Sequence, residues 1–187
     1  MPDLSNARIA VLATDYFEES ELTEPMRALR DAGAQVDVIA PHAASLQAMQ
    51  HEKKSIRIPV DRTLDEARPE DYDALILPGG ALNADALRVE PKAQQFAKQM
   101  DADGKVLAVI CHAPWLLVSS GLVEGKTLTS YPTLRDDIEN AGGKWVDQEV
   151  VVDGNWVTSR KPDDLPAFNR EAIALLERSR AKAGAAR

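Results

Sequence analysis

The sequence predicts a doubly wound α/β domain, a mostly parallel sheet sandwiched by helices. Three observations carry that expectation. Short runs such as Ala74–Leu77 and Val106–Ile110 are apolar without alternation, as strands covered on both faces must be. Amphipathic segments of helical period separate them. Gly and Pro punctuate the junctions, as in Pro78-Gly79-Gly80.

In chain order, Arg8–Ala13 reads as a buried strand. Glu18–Ala32 follows as a helix, with Leu22, Met26 and Leu29 at helical spacing and Gly33 as its stop. Gln35–Ala40 is a strand ended by Pro41. His42–Ile58 is mixed and reads as irregular, with a possible short hairpin, and Thr63–Ala67 as a turn or short helix. Ala74–Leu77 is a strand, Pro91–Met100 a helix, Lys105–Ile110 a strand and Cys111–Gly121 a helix. Lys126–Ser130 is a short strand and Thr133–Ala141 a helix closed by Gly142-Gly143. Lys144–Val152 and Asn155–Ser159 flank Asp153-Gly154, a hairpin signal. Asp163–Arg178 is a helix with Pro166 in its first turn. Residues 1–179 then form one domain, and 180–187, small and charged, a loose tail. In such sheets, sites lie beyond the carboxyl ends of the strands.

Composition narrows the function classes. Of 187 residues, 44 % are hydrophobic, enough for a substantial core, and the formal net charge is −8. That balance is the opposite of a general nucleic-acid binder. No apolar run approaches the length of a membrane span, and no basic region precedes Ile9–Ala13, so no secretory signal is expected. A single cysteine, Cys111, excludes an internal disulfide and fits a reducing cytoplasm. With His42, His51 and His112 the only histidines, no metal site of recognised spacing is expected, and no cofactor.

Cys111-His112-Ala113-Pro114 is the strongest local signal. A buried strand ends at Cys111 and a helix starts at once, the layout of a nucleophile elbow with sulfur in place of oxygen. A helix start would favour the thiolate through its unpaired N–H groups and positive dipole end. Cysteine hydrolases of amidotransferase type take their base from a downstream histidine. None follows His112, so an imidazole partner is His112, or else His42 or His51 from the upstream loop. Gly80 N–H and His112 N–H are candidates for an oxyanion hole. Among Glu18, Glu19 and Glu21, one carboxyl is expected to point at the sulfur and keep its proton there. Glu19 and Glu21 read more simply as first-turn helix acids.

Three further stretches accompany these: Thr129-Ser130-Tyr131-Pro132, Asp136-Asp137, and Trp145-Val146-Asp147 through Asn155-Trp156. Together with Phe17–Leu22, Asp73–Gly80 and Ile110–Pro114, they run in order from about residue 8 to residue 177. This set resembles the ThiJ/PfpI superfamily, in its intracellular protease/deglycase branch. The resemblance implies a flavodoxin-like sandwich, with Cys111 as nucleophile and His112 as its partner. It matches Glu18 to a protonated glutamate against the sulfur, Gly80 to the oxyanion glycine and Tyr131 to a site tyrosine. It places Asp85 where a neighbouring subunit's Glu orients the histidine, and so implies a homodimer or larger homo-oligomer. The reaction implied is stress-response chemistry on reactive carbonyls or glycated proteins and peptides. A cysteine peptidase, or a redox-sensing or holdase stress protein, would use the same thiol.

Overall fold

The structure is a computed structural model that describes residues 3–185. Seven strands form the central sheet, in the order β11 (Val151–Asp153), β12 (Trp156–Ser159), β8 (Val106–Ile110), β7 (Ala74–Leu77), β1 (Arg8–Leu12), β3 (Gln35–Ala40), β6 (Arg62–Thr63). The neighbours of β1, β3 and β7, run parallel to it. β8 lies beside β7 and β12 beside β8, again parallel. β6 and β11 close the two edges, β11 antiparallel through the Asp153-Gly154 turn.

Side-chain alternation along β1 explains why its sequence shows no polar face. Ile9 and Val11 enter one core with Leu22 and Leu29 of α1 (Glu19–Asp31) and Phe168 and Leu176 of α6 (Leu165–Ala185). Ala10 and Leu12 enter the other. There they meet Phe96 and Met100 of α3 (Pro91–Ala102), Leu116 and Leu117 of α4 (Pro114–Ser119) and Ile138 of α5 (Arg135–Asn140). Both faces of the sheet are therefore desolvated, and a polar residue in midstrand would be costly on either.

Two small sheets lie outside this one. β2 (Phe17–Glu18) pairs with β4 (Leu46–Gln50), which forms a hairpin with β5 (Lys53–Ile58). β9 (Thr127–Leu128) pairs with β10 (Lys144–Trp145). The stretch expected to be irregular is thus largely an ordered hairpin. The strand expected over 144–152 is instead two pieces, because β10 joins β9 while β11 joins the main sheet.

Helix α2 (Ala81–Arg88) was not anticipated from the sequence. It is short and buries only Asn83, Ala84 and Leu87, too few to set a visible period. The expected tail from residue 180 is helical through Ala185, and the last two residues lie outside the described part. Arg180 anchors this extension, donating to Asp73 at 3.1 Å and to the Ser5 carbonyl at 3.1 Å. Among the described residues no helix is long and apolar enough to cross a membrane.

Candidate active site

Cys111 follows the last residue of β8, and its backbone is left-handed, with φ 63°. Such a conformation costs a non-glycine residue about 1–2 kcal/mol, and neighbouring strands hold it. The Cys111 N–H donates to the Ser159 carbonyl at 3.0 Å, at the end of β12. Its carbonyl accepts from Tyr131 N–H at 2.8 Å. Strain concentrated at one tightly held residue is a common mark of a functional position.

The helix expected to begin at Cys111 begins instead at Pro114 and is six residues long. Cys111–Ala113 form a turn, because the left-handed cysteine cannot continue into helical geometry. The donors facing the sulfur are accordingly backbone N–H groups of Gly80 and His112. These are the two groups expected to make an oxyanion hole.

Pro78-Gly79-Gly80 passes too close to its neighbours for side chains. A Cβ on Gly79 would stand 2.5 Å from Glu21 Oε2 and 2.6 Å from Cys111 Cβ. Gly80 has φ 89°, and a Cβ there would meet the Tyr16 carbonyl at 2.7 Å. Glycine therefore lets the end of β7 thread between the β1–α1 connection and the elbow. Asn83, fully buried, fixes this crossing: its amide donates to the Pro78 and Gly79 carbonyls at 3.1 and 3.0 Å, and its oxygen accepts Thr14 N–H at 2.8 Å. No sequence signal marks Asn83, because the short α2 that carries it shows no period.

The carboxyl at the sulfur belongs to Glu21, where Glu18 was expected. Glu21 is 0 % exposed; Oε2 accepts Gly79 N–H at 2.8 Å, Oε1 has no hydrogen-bond partner among the described residues, and the carboxyl and the Cys111 side chain both press against Gly79. Glu18 instead turns to the β4–β5 hairpin, accepting His51 N–H at 3.0 Å. Helical phase decides this. Glu21 shares the buried stripe of α1 with Pro25 and Leu29, whereas Glu18 precedes the helix. The spacing 21, 25, 29 was the available signal.

Burial raises the Glu21 carboxyl from an ordinary 4.5 to about 8, against the lowering effect of Gly79 N–H. Burial and the adjoining Glu21 also push the Cys111 thiol up, while the Gly80 and His112 N–H groups pull it down. Glu21 that keeps its proton places no charge beside a thiolate and has an O–H to donate to it.

His112 Nδ1 lies 3.1 Å from Cys111 Sγ. Its ring stacks on Tyr131, centroids 4.5 Å apart, and meets the edge of Trp115. Burial lowers its pKa, which favours the neutral imidazole that accepts a proton. None of the described hydrogen bonds or ion pairs joins His112 to a carboxylate; the one histidine in an ion pair is His42, with Asp15. Asp85 sits exposed on α2, away from the cleft. Cys111, Glu21 and His112 line a cleft of about 790 Å³, with Tyr131, Gly80 and His51 on its walls. Among the described residues no group of three or more His, Cys, Asp or Glu side chains is placed to hold a metal ion.

Residues 7–175 match the model of the DJ-1/PfpI family. The chain belongs to the DJ-1/PfpI family. Over 170 residues this member is 44 % identical to Protein/nucleic acid deglycase 2 of Escherichia coli, covering 90 % of this chain and 97 % of that one. It is 42 % identical over 172 residues to General stress protein 18 of Bacillus subtilis, covering 91 % and 98 %. The crystal structure of Drosophila melanogaster DJ-1beta superposes with a TM-score of 0.83 at 28 % identity, covering 93 % of this chain and 92 % of that one. The DJ-1/PfpI sandwich is thus the architecture the sequence predicted.

Proposed function

We propose that this DJ-1/PfpI protein is a cysteine-dependent stress-response deglycase that acts on reactive carbonyls and their early protein adducts. The observation that carries the reading is the left-handed Cys111, its sulfur set among two backbone N–H groups, the Glu21 carboxyl and His112 Nδ1. The names of the E. coli and B. subtilis relatives support it.

With methylglyoxal, the Cys111 thiol gives its proton to His112 and the sulfur attacks the aldehyde carbon. A C–S bond forms, and the aldehyde oxygen takes a proton, giving a hemithioacetal. The Gly80 and His112 N–H groups steady charge on that oxygen as it develops. A proton then moves from the former aldehyde carbon to the adjacent ketone carbon through an enediol, with His112 and Glu21 as the available carriers. The product is a lactoyl thioester, and water cleaves it to lactate and free thiol. The net change is addition of one water, with no external oxidant or reductant.

Cys111→Ser is expected to abolish lactate release from methylglyoxal and from a glycated peptide, read by an enzymatic lactate assay. Casein cleavage without lactate would replace this reading with a peptidase, and protection of a heated client by Cys111→Ser would replace it with a holdase. The proposal includes a homo-oligomer, in which Asp85 of one protomer approaches His112 of its neighbour. Exposure of Asp85 beside Leu82 and Val89, 59 % and 73 % exposed, supports it.

A further inference from the structure

Glu18 lines the cleft but its carboxylate is committed elsewhere. It accepts the N–H of His51, which sits at the tip of the β4–β5 hairpin in a left-handed conformation, φ 56°. A second link lies beside it: Gln50 donates to Glu19 at 3.3 Å. On the far strand, Lys54 Nζ stands over the Tyr16 ring, 5.6 Å from its centroid. Behind these, β2 and β4 share only two residue pairs. The tip itself is exposed at Gln50, His51 and Glu52, so packing contributes little to its position. Yet Met49, His51 and Glu52 form one wall of the cleft that holds Cys111.

We propose that Glu18 is a positioning residue, latching the hairpin tip so that Met49, His51 and Glu52 stand as a substrate-selecting wall of the cleft. The bond Glu18 makes needs an acceptor oxygen and no titrating proton. A glutamine keeps the acceptor; an alanine removes it. A group that moves protons in the chemistry would be lost in both. This separates the latch from the proton-bearing part that the family resemblance implies for Glu18. It rests on the carbonyl reading for its kinetic arm only.

The test compares Glu18→Gln and Glu18→Ala. Hydrogen–deuterium exchange across residues 46–58 reads the latch without reference to turnover. Faster exchange at the tip in Glu18→Ala is expected, with Glu18→Gln close to wild type. With a methylglyoxal-treated peptide as substrate, Glu18→Ala is expected to raise KM about tenfold while kcat moves less than about threefold, and Glu18→Gln to restore KM; loss of a single charge-assisted hydrogen bond spans that range. The proposal is overturned if the exchange of Glu18→Ala matches wild type, or if Glu18→Gln loses kcat as heavily as Glu18→Ala. If wild type turns over no carbonyl substrate, the function proposed above fails, and exchange alone decides the latch.

Discussion

At the scale of the residue, the site depends on a carboxyl held where water cannot reach it. Glu21 is protonated more readily in the fold than in the open chain, with its carboxyl raised from 4.5 to about 8. Its folded pKa is the raised one, so the folded state binds more protons across that window and stability falls as pH climbs through it. Glu21→Gln keeps an oxygen for Gly79 N–H and removes the titration. Urea unfolding from pH 4 to pH 9 is expected to show the variant gaining on wild type from about 4.5 to about 8, by up to several kcal/mol, and level above that. A constant difference across the range would mean that Glu21 ionises normally. Cys111 and His112 were legible in the sequence because they are neighbours at a strand end. Glu21 was not singled out, since three acids share one turn and only the phase of α1 tells which faces inward.

At the scale of the element, strand identity was easy to read and the connections were hard. Unbroken apolar runs identify β1, β7 and β8 because each buries both faces. The β4–β5 hairpin read only as a possible short hairpin in an irregular stretch, because its residues alternate weakly and much of it is exposed. Helix α2 escaped for want of length, yet its Asn83 ties three backbone groups of two different connections. Asn83→Ala leaves those buried groups without their partner, and the expected loss is about 2–4 kcal/mol in urea unfolding. Loss of less than about 0.5 kcal/mol, the scale of a neutral surface change, would show that the crossing holds without it.

At the scale of the whole molecule, the proposed oligomer makes the exposed face of α2 an interface. Val89→Glu places a charge at the C-terminal end of α2, on a residue that does not line the cleft. Sedimentation velocity is expected to show a shift toward monomer, and kcat to fall with it if Asp85 serves His112 across the interface. A variant that sediments as wild type would move the interface elsewhere.

The elbow draws its restraints from far along the chain: Tyr131 holds the Cys111 carbonyl, and Ser159 holds its N–H. During synthesis, therefore, the thiol leaves the ribosome well before the strand that bends it into place. Until β12 docks, the Cys111 N–H lacks the Ser159 carbonyl that accepts it. A nascent chain stalled before Ser159 therefore carries the sulfur without the carbonyl that holds its backbone.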